Sequence, residues 1–350
     1  MGRTIDTSVV GDMTKRTFLR RYWQKRPLFV RGALPDAGAI AGLRTLRALA
    51  ARDDVESRIA VRTRRRWKIE HGPFEKERNF PDRDWTLLVS GVNLHVEAAD
   101  RLLRRFSFIP QARLDDVMVS YAAPGGGVGP HVDSYDVFLI QGPGRRRWTV
   151  WHSGRRQIFD CAPGDLLYLP PGLKHDGVAL EPCYTYSVGF RAPRGAELGA
   201  RFLDWLHERG LPDAIYGDPG LEPAARSAAI PPGLLRFAAR VLKSISWQEK
   251  DVQRFLGQYL TEPKAHVVFR PGRGRGPLAR LDSKTQLLYR GKTFFINGEA
   301  LTASGRKAAL LRELADGREL DRARAARAGL APLLYDWRRR GYLHFGRRAA

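Results

Sequence analysis

His131 and Asp133, two positions apart in the stretch 124–148, could place an imidazole and a carboxylate on one ion. Successive side chains of a strand alternate between its faces, so both project to the same side while Val132 turns away. A third ligand would close the set, and His175 is placed to supply it. It follows Pro163-Gly164-Asp165-Leu166-Leu167-Tyr168-Leu169-Pro170-Pro171-Gly172-Leu173-Lys174. There a turn, an apolar strand and a second turn deliver a histidine to the start of the next strand. Two imidazoles and one carboxylate on one face of a metal leave other coordination positions open, as an oxygen-activating non-haem iron requires. A His-x-Asp pair alone is common on loops. The glycine-rich run before this one, the strand-like residues 136–141 after it and the Pro-Pro-Gly turn ahead of His175 set it apart.

The elements that must position these residues are legible as periodicities. Residues 115–121 read as a strand in which Val117, Val119 and Tyr121 alternate with Met118 and Ser120, so Ser120 is available to a polar ligand inside a barrel. Short strands separated by Gly and Pro turns between His131 and Arg191 predict a double-layer jelly roll rather than a βαβ unit. The run 125–129 lacks the Lys-Ser/Thr ending of a phosphate loop and precedes a strand. Upstream, the spacing predicts helices over 14–25, 39–51 and 97–106. It also predicts two strands within 56–70 around the basic tip Thr63-Arg64-Arg65-Arg66, and a buried strand within 84–92. From Glu197 the period changes to about 3.6, giving a helix around Leu198 to Leu206 and one or two more between Leu234 and Leu260. A Pro/Gly/Asp linker at 211–223 separates them. The tail predicts a hairpin over 285–296 with an Asn297-Gly298 turn, and helices from about Ser304 and Asp321.

The 350 residues suffice for two or three domains, and the net charge is +23. Residues 264–350 hold 20 Lys and Arg against 7 Asp and Glu, so +13 of the total lies there. Such a balance suits an RNA or ribonucleoprotein partner, and equally an arginine-rich solvated surface. Cys161 and Cys183 make neither a disulfide framework nor a zinc pattern and read as reduced core residues. There is no apolar leader and no long apolar run, so neither export nor membrane insertion is expected and the location reads as cytoplasmic.

The residues Pro124-Gly-Gly-Gly-Val-Gly-Pro-His131-x-Asp133-x-Tyr135-Asp136-Val-Phe138 carry a resemblance, as do Ile140-Gln-Gly-x-Gly-Arg-Arg-Arg-Trp148, the Pro163 to His175 run and Tyr186-Ser-Val-Gly-Phe-Arg-Ala-Pro193. Together they resemble the Jumonji-C (JmjC) oxygenases, and among them the bacterial ribosomal-protein arginine hydroxylases. The likeness covers residues 18–193 well and the remainder in outline. It implies a mainly β fold with added helices: a double-stranded β-helix (cupin-like jelly roll) core in 1–196, a helical dimerisation region in 197–262 and a winged-helix domain in 263–350. By the same resemblance His131, Asp133 and His175 are iron ligands, and Ser120 and Arg146 hold the cosubstrate 2-oxoglutarate. The implied activity is an Fe(II)- and 2-oxoglutarate-dependent dioxygenase that consumes O2, releases succinate and carbon dioxide, and hydroxylates the β-carbon of an arginine in a large-subunit ribosomal protein. A homodimer is implied as well.

In that chemistry the far carboxylate of 2-oxoglutarate needs a cation, and the planar fork of arginine meets it with two parallel hydrogen bonds. Arg145, Arg146 and Arg147 compete for the role. Alternation turns the middle one away from its neighbours, on the same parity as Ile140 and Trp148. Tyr135 and Asp136 could offer the substrate guanidinium an aromatic wall and a carboxylate, although Asp136 could equally face solvent. The short connection from Trp148 to Asp165 and the presence of Lys174 before the histidine depart from the relatives around the barrel mouth. Other targets of the same chemistry are a histidyl residue, a tRNA or a small molecule. A nucleic-acid-binding regulator on a cupin scaffold would have no need of the triad and its facing guanidinium.

Overall fold

The computed structural model describes residues 9–64, 66–75 and 79–347, so Arg65 of the basic tip lies outside the described residues. In chain order the first elements are α1 (Lys15–Arg21), β1 (Leu28–Val30), α2 (Leu43–Ala50), β2 (Ser57–Thr63), β3 (Arg66–His71), β4 (Trp85–Val89) and α3 (Glu97–Arg104). Eight strands follow: β5 (Leu114–Ala122), β6 (His131–Val132), β7 (Val137–Gln141), β8 (Arg146–His152), β9 (Arg155–Cys161), β10 (Leu166–Leu169), β11 (Lys174–Ala179) and β12 (Cys183–Phe190). Helix α1 starts where predicted: the Thr14 hydroxyl accepts the Thr17 N–H at 3.1 Å and caps the first turn.

The twelve strands form two antiparallel sheets. One runs β1-β10-β7-β12-β5-β4-β2-β3 and the other β6-β11-β8-β9. This is the jelly roll expected from the turn spacing. Strands β4, β7 and β10 are buried at every residue because each is covered on both faces. Phe138 and Ile140 of β7 point to an outer core that includes Phe18 of α1, Leu46 of α2 and Leu102 of α3. Val137 and Leu139 point inward to Trp148, Val150 and Leu167, which pack together between the sheets. Both cysteines are buried and free, as their spacing suggests.

The rest of the chain comprises α4 (Gly195–Glu208), α5 (Pro232–Ser244), α6 (Glu249–Thr261), β13 (Leu278–Leu281), β14 (Leu287–Arg290), β15 (Thr293–Ile296), β16 (Glu299–Thr302), α7 (Gly305–Gly317), β17 (Glu319–Asp321), α8 (Arg322–Arg327), α9 (Ala331–Arg339) and β18 (Leu343–Gly346). Strands β14 to β16 form a meander rather than a single hairpin. The Asn297-Gly298 pair, both at positive φ, joins its second and third strands. Sequence periodicity missed α9. The chain groups into two compact units. One holds Met1–Ala192, Pro263–Thr285 and Gly305–Ala350; the other holds Pro193–Glu262 and Gln286–Ser304. In the second unit α6 carries Gly257 where a Cβ would come within 2.4 Å of the Phe295 ring of β15, so the wing strands pack against this helix. No helix among the described residues is long and apolar enough to cross a membrane.

Candidate metal centre and its cavity

Strands β6 and β11 pair with His131 directly opposite His175, which brings the two imidazoles to a ring separation of 4.2 Å. Asp133 leaves the end of β6 on the same face. Its carboxylate lies 4.0 Å from His131 Nε2 and 3.6 Å from His175 Nε2. One ligand atom from each of the three lies within 4.8 Å of the others. Such separations suit an ion between the groups better than a hydrogen bond. The Nδ1 atom of His131 meets the Gly129 carbonyl at 2.9 Å, and that of His175 meets the Leu173 carbonyl at 2.9 Å. A carbonyl can only accept, so each Nδ1 carries a proton and Nε2 is the nitrogen turned toward Asp133. Burial pushes the His175 imidazole below its usual range and keeps it neutral, the form a metal binds.

The loop that carries Gly129 is held from the side by Trp67 of β3. A Cβ on Gly129, which sits at φ 82°, would come within 2.6 Å of that indole. The glycine-rich run therefore serves close packing beneath a ligand rather than phosphate binding.

The triad opens into a cavity of about 510 Å³ between the sheets. Of the three arginines at the start of β8, Arg145 and Arg147 are exposed and Arg146 is buried. Arg147 pairs with Asp160 at 2.6 Å on the outside. Arg146 enters the cavity beside Trp148, and its Nε and Nη2 atoms are buried without a hydrogen-bond partner. The hydroxyls of Thr86 and Thr185 on the cavity wall are likewise unpartnered, and Ser120 lies beside them with its hydroxyl 3.5 Å from the Thr185 carbonyl. A buried guanidinium with idle donors, flanked by hydroxyls and facing two imidazoles and a carboxylate, fits a ligand with one carboxylate for the arginine and oxygen donors for a metal.

Tyr135 is at the cavity mouth, and burial pushes its phenol up to about 12. Asp136 does not accompany it. Its carboxylate is fully buried, accepts hydrogen bonds from Tyr168 Oη at 2.6 Å and Gln24 Nε2 at 3.0 Å, and lies 3.4 Å from Arg113. Asp136 ties the segment after α1 to β10 and pairs with Arg113 of the chain itself, so the expectation that it receives the substrate guanidinium or faces solvent is corrected. Other carboxylates line the cavity: Asp115 and Asp116 at the start of β5. The period of two that points Ser120 inward points Met118 and Asp116 the same way, a signal present in the sequence but unused. Asp116 accepts the Gly91 N–H at 2.8 Å, and burial raises its carboxyl pKa. Lys264, which reaches the cavity from beyond α6, was not foreseen.

Comparison with known proteins matches residues 101–161 and 157–198 to the JmjC domain, and residues 244–344 to the ROXA-like winged helix. The chain is 36% identical over 272 residues to the ribosomal protein uL16 3-hydroxylase of Escherichia coli, covering 73% of each protein. The chain belongs to the JmjC ribosomal oxygenases. Another relative in the group, a probable ribosomal oxygenase of Haemophilus influenzae, is 36% identical over 219 residues, covering 56% of this chain and 54% of that protein. The structure of the ribosomal oxygenase YcfD from Escherichia coli superposes with a TM-score of 0.80 at 31% identity over 96% of this chain and 99% of that one. The structure of YcfD with cobalt and 2-oxoglutarate matches at a TM-score of 0.79 and 30% identity, over 95% and 98% of the two chains. The jelly-roll core and the winged helix that the sequence implied for this JmjC oxygenase are both borne out.

Proposed function

We propose that this chain is an Fe(II)- and 2-oxoglutarate-dependent oxygenase that hydroxylates the β-carbon of an arginine in a large-subunit ribosomal protein. The observation that carries the reading is the buried, unpartnered guanidinium of Arg146 facing the cluster of His131, Asp133 and His175. When bound, the iron and 2-oxoglutarate together supply the oxidative decarboxylation that yields succinate and carbon dioxide and inserts one atom of O2 into a C–H bond. The residues of the chain orient and shield. His131, Asp133 and His175 would hold the metal, with the Gly129 and Leu173 carbonyls fixing the two rings. Arg146 would fork onto the distal carboxylate of the cosubstrate, with Ser120 beside it. The apolar wall of Val137, Leu139 and Trp148 excludes water.

Asp115, Asp116 and Tyr135 would receive the arginine, because a buried carboxylate beside an aromatic ring favours a guanidinium. Hydroxylation of a peptide from uL16, the protein named in the Escherichia coli relative, is the direct test. Mass spectrometry should show one added oxygen on one arginine, with succinate released in step. An unmodified peptide together with uncoupled succinate release would reject the reading. Asp116→Asn should raise KM for that peptide by about tenfold to a hundredfold, the worth of one charge-assisted hydrogen bond, with the cosubstrate titration unmoved.

The segments have separate roles in this proposal: catalysis in 1–196, dimerisation in 197–262 and the winged helix in 263–350. Helices α4 and α5 bury no residue within this chain, and Leu235 and Leu242 of α5 are 66% and 67% exposed. A second copy would cover this apolar face. Leu235→Glu with Leu242→Glu should halve the mass seen by light scattering, and an unchanged mass would remove the face from the interface. The +13 balance of residues 264–350 supports an RNA contact in the cytoplasm, which would weaken steeply with added salt.

A further inference from the structure

Lys264 stands in the cavity where a cationic substrate would go. Its Nζ lies 3.1 Å from Asp115 Oδ1 and 4.0 Å from Asp116 Oδ2. Asp115 also faces the Arg191 Nε at 3.6 Å, and Asp116 is fixed on its other side by the Gly91 N–H. The remaining charged groups on this wall are Glu56 and Arg58, the latter turned toward the Met118 sulfur at 3.7 Å. Burial opposes the charge on Lys264, and the two aspartates more than offset it, so the ammonium stays protonated.

We propose that Lys264 is a tethered competitor for the acidic subsite, an internal ammonium that any cationic substrate side chain must displace, so that a lysine is held too weakly to enter while an arginine still binds. The inference rests on the arginine-hydroxylase reading above. An ammonium is a compact point charge, and a substrate lysine offers the aspartates nothing that Lys264 does not already supply at high effective concentration. A guanidinium differs: its planar fork can engage Asp115 and Asp116 together, and it is more weakly hydrated, so it can displace the internal ammonium. The bound state then leaves Lys264, on its flexible stem and already 40% exposed, free to turn toward solvent.

The variant Lys264→Met keeps the length and apolar stem of the side chain and removes the charge. Binding is measured on protein loaded with Mn(II) and 2-oxoglutarate without oxygen, using two peptides that differ only in a central arginine or lysine. The expected result is that both peptides tighten by about tenfold, because removing a competitor relieves both alike, and that binding of the lysine peptide becomes measurable. Unchanged binding of both peptides would mean that Lys264 does not block the subsite, and weakening of both would make it a structural counter-ion. Either result overturns the proposal and leaves the arginine reading standing if the wild type binds the arginine peptide. A wild type that binds neither peptide removes both. Because Lys264 could also brace the fold, Lys264→Arg serves as a second variant. It should weaken the arginine peptide, since the tethered group now competes with the same fork, and a gain in arginine binding would contradict the competition.

Discussion

Asp133→Ala is expected to lower metal-dependent 2-oxoglutarate turnover by more than about a thousandfold, beyond the 10–100-fold typical of changes behind the ligands. The carboxylate is the anionic member of the set, and the two imidazoles left behind would hold a divalent ion only weakly. The fold should survive. Asp133 follows a strand of two residues, its side chain is 23% exposed, and its contacts are the two histidines. The change in stability should stay within about 0.5 kcal/mol, as for substitutions that leave the core alone. Succinate release and a melting curve on the same preparation decide the matter. Retained turnover would remove Asp133 from the metal, and a collapsed melting transition would make the residue structural.

Arg146→Met should separate stability from function in the opposite sense. A buried guanidinium with two unpartnered nitrogens costs folding energy, of the order of 1–3 kcal/mol for groups left unsatisfied, and the ring of Trp148 at 5.6 Å returns only part of it. Methionine fills the same apolar slot without a charge to desolvate. The variant should therefore melt a few degrees above the wild type when no cosubstrate is added. It should bind 2-oxoglutarate about a hundredfold more weakly or worse, having lost the bidentate pair. Adding 2-oxoglutarate should raise the melting temperature of the wild type and leave that of the variant where it was. A variant that melts lower than the wild type would show that Arg146 is satisfied by the protein itself, and cosubstrate recognition would then have to lie elsewhere.

The contrast between Arg146 and Asp136 shows what the sequence could yield. Arg146 was read by the alternation of a strand, which fixes the face a side chain occupies, whereas Asp136 was read only from its place beside Tyr135. For Arg146 the neighbours Arg145 and Arg147 are exposed and the cavity lies on its own face. For Asp136 nearness in sequence was not enough, because its partners Gln24, Arg113 and Tyr168 come from other parts of the chain. The convergence of His131, Asp133 and His175 was legible because the glycine and proline punctuation around them is local. Asp116 was within reach of the same reasoning, two strand periods before Ser120. Lys264 was not: nothing near it in the sequence says that its side chain ends beside Asp115. Many strand and helix positions followed from periodicity, α9 and the third strand of the meander excepted, but the grouping of the wing strands with α6 depends on contacts that no local pattern encodes.

The grouping of the chain into units also bears on how the protein is made. The unit that contains the triad includes Gly305–Ala350, and two hydrogen bonds close it over long spans. Gln111 Nε2 donates to the Ala315 carbonyl, and the Ser283 hydroxyl donates to the Leu94 carbonyl. Strand β18, near the end of the chain, pairs with β13 within the same unit. A nascent chain therefore cannot complete this unit until β18 has been made, long after the jelly-roll strands. Entropy makes such distant closures slow, and the jelly roll must wait with part of its surface open. A chain cut before β18 should be left in that open state.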